Sequence, residues 1–167
     1  MAISSKSERH AEVRDAVEHL NAEARSADQF MKSLVLLLNE RMLKYNWVGF
    51  YMLEPGAQPP VLVLGHYHGA MTPHTRISLN QGICGAAASS GRTIVVDDVS
   101  KDTRYLACSL ETKSEIVVPV FTRGAVAGEL DIDSHFPAAF ATPDRELIEY
   151  CAQLVGGRLD SEPAKTS

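Results

Sequence analysis

Cysteine is scarce in this chain: three thiols, Cys84, Cys108 and Cys151, in 167 residues. That is too few for a secreted scaffold stapled by disulfides. In a reducing compartment a disulfide between such thiols is expected to be transient and catalytic, not structural. Positive charge is in deficit as well. Sixteen Lys and Arg against 21 Asp and Glu leave a formal net charge of −5, which argues against a general affinity for nucleic acid or an anionic membrane. Long apolar runs are missing: the longest, LVLLL at 34–38, is far short of a bilayer span. The first residues carry no apolar core of the kind a secretory leader needs, so the expected compartment is cytoplasmic. There is no internal repeat, phosphate-binding loop, dinucleotide GxGxxG or serine–histidine–acid signature.

What is present is a globular balance, 45% hydrophobic and 22% charged, over a length suited to one domain with its own core. The expected division is an N-terminal helical extension (1–27), a single domain (28–160) and a flexible tail (161–167). Residues 7–26 are charged and alanine-rich and read as a surface helix. Phe30, Leu34, Leu37, Leu38 and Met42 form one apolar face of a second helix, with Asp28 as its N-cap. Residues 47–53 and 61–67 read as strands joined by a turn, and 68–76 as a loop. A short helix is expected over 81–91 and a strand over 93–98. Residues 99–114 form a long polar loop, a type that is usually functional. A second hairpin spans 115–133, and a last helix opens with Thr142 as N-cap and Pro143 at its first position. Hairpin-joined strands imply an antiparallel sheet with helices packed on it, an α+β fold.

Three groups of residues carry chemistry. Cys151 lies on the apolar stripe of the last helix and reads as a packing thiol. Cys84, between glycines in GICG, is either a small residue at a tight helix start or a thiolate favoured by free helical N–H groups. Cys108 sits in the polar loop, near Lys101, Arg104 and Lys113, which favour the thiolate. Acids form the second group. Along 126–132 and on to Asp133, Glu129, Asp131 and Asp133 alternate with Leu130 and Ile132. A three-residue hairpin loop, 123–125, sets Ile116 opposite Ile132 and therefore Glu115 opposite Asp133. Glu115, Asp131 and Asp133 then converge on one face, and like charges directly opposite each other call for a cation or a proton. The alternative is a solvated outer face. The third group is His66, His68 and His74, whose spacing matches no strong zinc signature; GHYHG is expected to line a loop over a pocket. Trp47, Tyr51 and Tyr67 are candidates for its aromatic wall.

Taken together, NWVGFYML, GICGAAASSGRTIVVDDV, ACSLETKSEIVVPV and GELDIDS resemble the free methionine-(R)-sulfoxide reductases, a family of GAF-domain proteins, over roughly residues 46–155. The resemblance implies a GAF-like fold, a central antiparallel sheet with helices on both faces. It implies thiol-dependent reduction of free methionine-(R)-sulfoxide, with Cys108 as the catalytic cysteine and Cys84 as a resolving one. Glu115, Asp131 and Asp133 match the family's substrate-binding acids. A Cys108 sulfenic acid would condense with Cys84 to a disulfide, and thioredoxin would reduce it. No bound cofactor or metal is expected, and homodimerisation is left open. The chain departs from the family at His74, where members often carry a third cysteine that can be the preferred resolving one. It departs again at Ser109, where many have Asp. The competing reading is a non-catalytic GAF module that senses a small molecule or redox state.

Overall fold

The structure, a computed structural model, describes residues 5–107 and 109–163. Helix α1 (Lys6–Glu23) is entered through a capping box: the Glu8 N–H donates to Ser5 Oγ at 3.1 Å, and the Ser5 N–H donates to the Glu8 carboxylate at 2.7 Å. It is less superficial than its charge suggests. Val13 and Val17 are buried in the main core. His10 Nε2 lies 2.9 Å from Asp144 Oδ1, the oxygen to which Tyr45 also donates its hydroxyl at 2.7 Å. Two valines and a histidine make too thin a stripe to stand out among the surrounding charges.

Helix α2 (Ala27–Arg41) is capped by Ser26, whose Oγ accepts from the Gln29 N–H at 3.0 Å. Asp28, the expected cap, instead sits in the first turn, where its charge complements the helix dipole. A correction of one residue applies to the last helix, α4 (Thr142–Ser161): Ala141 is the cap position, Thr142 the first helical residue and Pro143 the second. The side-chain bond at that end comes from Asp144, which accepts from the Ala141 N–H at 3.1 Å.

Six strands form one antiparallel sheet in the order β3-β2-β1-β6-β5-β4. They are β1 (Trp47–Leu53), β2 (Val61–His68), β3 (Arg76–Ser78), β4 (Ile94–Val96), β5 (Ser114–Thr122) and β6 (Ala125–Ser134). Helix α3 (Gly82–Ser90) falls between β3 and β4, and a 3-10 turn, Val99–Lys101, opens the long loop. Strand β3 was not foreseen; one isoleucine between Arg76 and Ser78 is too short to show alternation. The helices divide between the faces. On one, Phe30, Leu34, Leu38 and Ile148 pack on Val48, Phe50, Ile116, Val118, Leu130 and Ile132. On the other, Ile83, Cys84 and Ala87 of α3 pack on Trp47, Tyr51, Leu62 and Val117.

The β5–β6 register pairs Ile116 with Ile132, Val118 with Leu130 and Glu115 with Asp133, as the apolar pattern requires. The loop that delivers it is not the expected one. Thr122 pairs with Ala125, leaving a two-residue turn at Arg123 (φ 51) and Gly124 (φ 79), the geometry of a type I′ turn. Unaided, that turn would set Ile116 against Asp131. The pairing shifts between Val120↔Gly128 and Phe121↔Val126, so Ala127 is an extra, bulged residue that restores the register. The bulge also turns Val126 over: it packs with the α3 cluster, opposite Leu130.

Helix α4 crosses β5 at close range. A Cβ at Gly156 would collide with the Phe121 carbonyl oxygen. Gly156→Ala is therefore expected to destabilise the protein by about 1–3 kcal/mol, although alanine favours a helix over glycine by about 1 kcal/mol. Urea denaturation of the two proteins checks this; a more stable variant would mean that helix propensity outweighs the contact.

Candidate active site

The α3 face of the sheet carries the acids. Strand alternation places Glu129, Asp131 and Asp133 of β6 on that face, and pairing adds Glu115 from β5 and Trp47 and Tyr51 from β1. All four carboxyls are buried: Glu115 is 5% exposed, Glu129 0%, Asp131 4% and Asp133 4%. The solvated outer face is thus ruled out. The Cys84 thiol donates to Asp131 Oδ2 at 3.5 Å. Asp131 Oδ1, Asp133 Oδ1 and both Glu129 oxygens have no hydrogen-bond partner of good geometry among the described residues.

Glu129 is the residue that sequence reasoning missed. It stands two places before Asp131 and so shares its face by the same alternation. The other three acids had been singled out by the pairing of Glu115 with Asp133, which Glu129 takes no part in. Opposite Asp131 stands Gly49. A side chain at Gly49 would strike the Trp47 ring and the Tyr67 Cβ, so the glycine leaves room for an aromatic stack. Trp47 stacks on Tyr67 with ring centroids 5.6 Å apart and planes inclined by 19°, and on Tyr51 at 6.2 Å and 28°. Trp47 Nε1 donates to the Ala70 carbonyl at 3.0 Å and the Tyr51 hydroxyl to the His74 carbonyl at 2.7 Å. The expected aromatic residues therefore do come together on this face.

The histidines separate. Gly49 pairs with Tyr67 but Tyr51 with Leu64, so Gly65 and His66 together oppose Phe50, a second bulge. It sends Tyr67 to the Trp47 side and His66 to the α2 side, where its Nε2 lies 2.8 Å from Asp28 Oδ1. His68, paired with Val48, is exposed. Of the three, His74 alone reaches the site: it lines a cavity of about 20 Å³ with Cys84, Glu115, Leu106, Ile77, Gly82 and Ile83. Its Nε2 is 3.2 Å from the Ala107 carbonyl oxygen. A second cavity, of about 90 Å³, is bounded by Trp47, Asp133, Ser109, Thr112 and the loop residues Ala70 to Thr72.

Cys108, the expected catalytic thiol, lies outside the described residues. Arg104, one of the cations near it in sequence, is held by Asp102 at 2.7 Å. Cys151 is fully buried in the main core, as a packing thiol should be, and burial raises its pKa to about 12. The sequence leaves Cys84 open between a small residue at a tight helix start and a favoured thiolate. Cys84 is the third residue of α3, yet the helix end does not favour its thiolate. Burial, then the charges of Asp131, Glu129 and Glu115, push the thiol well above its ordinary range.

Burial likewise raises the acids. Asp131 is pushed up to about 6, with hydrogen bonds from Glu115 and Cys84 acting the other way. Asp133 is pushed well up by burial and by the charge of Asp131. Glu129 is pushed well up by burial first, a shift that the neighbouring Cys84 only partly opposes. For an acid raised in the folded state, the native protein holds the proton that the unfolded chain has lost. Stability then falls as pH rises from the unfolded value, about 4, through the folded one. Asp131→Asn removes that loss at one site. Its stability relative to the parent is expected to climb between about pH 4 and pH 7 and level off at a gain on the order of 3 kcal/mol. Denaturant midpoints across pH check this; a difference that does not change with pH would contradict it.

A model of the GAF domain family matches residues 26–159. The free methionine-R-sulfoxide reductase of Escherichia coli K12 is 36% identical over 119 residues, 71% of this chain and 69% of that protein. The protein of the same name from Saccharomyces cerevisiae is 39% identical over 111 residues, 66% of this chain and 61% of that one. An X-ray structure of free methionine-R-sulfoxide reductase from Neisseria meningitidis, in complex with its substrate, superposes with a TM-score of 0.87 at 32% identity. The superposition covers 96% of this chain and 93% of that one. The chain belongs to the free methionine-R-sulfoxide reductase family of GAF-domain proteins. No helix among the described residues is long and apolar enough to cross a membrane.

Proposed function

We propose that the protein reduces free methionine-(R)-sulfoxide to methionine. The observation that carries the reading is the set of buried carboxyls, Glu115, Asp131 and Asp133, in which Asp131 Oδ1 and Asp133 Oδ1 lack a hydrogen-bond partner among the described residues, beside the Trp47–Tyr51–Tyr67 stack. Such a set is costly unless a cation is matched to it, and the ammonium of a free amino acid is such a cation. A peptide-bound methionine has no ammonium to offer. Trp47, Tyr51 and Tyr67 give the apolar wall for the thioether end.

The chemistry assigned to the site is that of two thiols. The Cys108 thiolate attacks the sulfoxide sulfur while a carboxylic acid of the cluster protonates the oxygen; methionine leaves and Cys108 becomes a sulfenic acid. Elevated carboxyl pKa values suit a proton donor near neutrality. The Cys84 thiol then condenses with the sulfenic acid, releasing water and forming a disulfide, which a thioredoxin dithiol reduces by exchange. Leu106 lines the small cavity beside Cys84 and Ser109 the larger one beside Asp133, so the loop that carries Cys108 borders the acids on either side. His74, standing where relatives often carry a cysteine, holds the Ala107 carbonyl and can take no part in disulfide exchange.

The test is a thioredoxin assay coupled to NADPH oxidation, with the R and S epimers of free methionine sulfoxide and an N-blocked peptide analogue. Turnover of the free R epimer alone is expected. Binding of that epimer without turnover, even with dithiothreitol, would instead identify a sensor module.

A further inference from the structure

We propose that the reduced site also binds a thiophilic divalent cation of the Zn²⁺ class, through Cys84, Glu115 and Asp131. One donor atom from each of these buried residues lies within 4.8 Å of the other two. A cavity of about 20 Å³ lined by two of the three donors, Cys84 and Glu115, and by His74 has room for an ion or a water but not for an amino acid; Asp131 reaches the group from behind it, through the Cys84 thiol that donates to its Oδ2. No lysine or arginine lines the cavity.

A second observation points to a ligand. Asp131 Oδ1, on a side chain 4% exposed, lacks a hydrogen-bond partner among the described residues, and the fully buried Glu129 carboxyl has none of good geometry. Glu129 is close enough to Cys84 for its charge to act on the thiol. Positive charge is therefore wanted where sulfur is also on offer. Sulfur selects the metal: a thiolate is a poor ligand for Mg²⁺ or Ca²⁺ and a good one for Zn²⁺, which accepts carboxylates beside it. Donors around a tetrahedral Zn²⁺ with bonds of about 2.0–2.3 Å stand roughly 3.3–3.7 Å apart, so closing the site asks for side-chain shifts of about 1 Å. The ion displaces the Cys84 proton and binds the sulfur as thiolate.

The metal's consequence, though not its binding, rests on the proposed function. A metal-bound Cys84 cannot attack a sulfenic acid, and the ion and the substrate ammonium claim the same carboxylates. Zinc would hold the protein reduced and idle.

The experiment uses the full chain, reduced, metal-free and under argon, with Co²⁺ as a spectroscopic probe. One equivalent of Co²⁺ is expected to produce sulfur-to-cobalt charge-transfer absorption, which Zn²⁺ abolishes by displacement. The band should persist in Cys108→Ser and Cys151→Ser and vanish in Cys84→Ser. Asp131→Asn keeps the thiol and should weaken Co²⁺ binding at least about tenfold, so the result does not depend on one variant folding. Free methionine, which carries the ammonium without the oxidant, should raise the apparent Kd for Co²⁺. Absence of the band, its survival in Cys84→Ser, its loss in Cys108→Ser, unchanged affinity in Asp131→Asn or indifference to methionine would each overturn the assignment. Turnover measured in chelator-treated buffer reads the reductase function separately, so either can fail without the other.

Discussion

Cys108→Ser is expected to abolish turnover of free methionine-(R)-sulfoxide, whereas Cys84→Ser should complete a single turnover and then stall. The asymmetry follows from what each thiol is asked to do. In the proposed mechanism Cys108 forms the bond to sulfur, and a serine hydroxyl in its place lacks both the acidity and the nucleophilicity of a thiolate. In the same mechanism Cys84 is needed only after methionine has left. Its buried thiol, hydrogen-bonded to Asp131 and raised well above its ordinary pKa, is a poor first nucleophile. In Cys84→Ser the sulfenic acid on Cys108 should persist and react with a 1,3-dione trap, giving one methionine per chain. Equal single-turnover yields from both variants and the parent would contradict these roles. Mass spectrometry of the oxidised parent should show Cys84 joined to Cys108; a bridge involving Cys151 would contradict the burial of that residue in the main core.

The second large effect is on recognition. Asp131→Asn is expected to lower kcat/KM for free methionine sulfoxide by about 10²–10³-fold, equivalent to about 3–4 kcal/mol, the scale for removing one partner of a buried charge pair. On the proposed reading the ammonium is held before and during reaction alike, so most of the loss should appear in KM. A methyl alkyl sulfoxide without an amino group supplies the control, since both proteins should turn it over equally poorly. If the variant lost activity on that compound too, Asp131 would serve the reacting oxygen and not the ammonium. The substitution expected to weaken recognition is the one expected to stabilise the empty protein above about pH 4.

Much of this was legible beforehand because strands have a period of two. The alternation of Leu130 and Ile132 with Asp131 and Asp133, set against Ile116 and Val118, fixed which residues face which core. It brings Glu115 to Asp133, the pairing that the sheet has. What alternation cannot show is a bulge. An extra residue at Ala127 and a two-residue turn produce the same pairing at Glu115 as a three-residue loop without a bulge, and only Val126, which changes face, tells them apart. The bulge at Gly65–His66 had the larger effect. It split a histidine trio that looked contiguous, leaving His74 alone at the site. Cys84 stays open in the sequence for another reason. A helix start favours a thiolate, but sequence does not show that three carboxyls will stand against the sulfur, and at close range their charges with burial outweigh the helix end. Glu129 carried the same alternation signal as its neighbours and lacked only a cross-strand acid to draw attention to it.

The Ala127 bulge bears on how the chain tolerates changes of length. Upstream of it, pairing from Ser114↔Ser134 to Val120↔Gly128 is continuous and is held by the apolar residues of the main core. Downstream, the tip is fastened separately: the Thr122 hydroxyl donates to Asp160 at 2.5 Å and the Arg123 N–H at 2.7 Å. A residue gained or lost between the bulge and the turn can therefore be taken up at the tip without moving Glu115, Asp131 or Asp133. The distal end of this hairpin is a place where an insertion or a short tag should leave catalysis intact, while the same change four residues further toward the acids would invert the face they share.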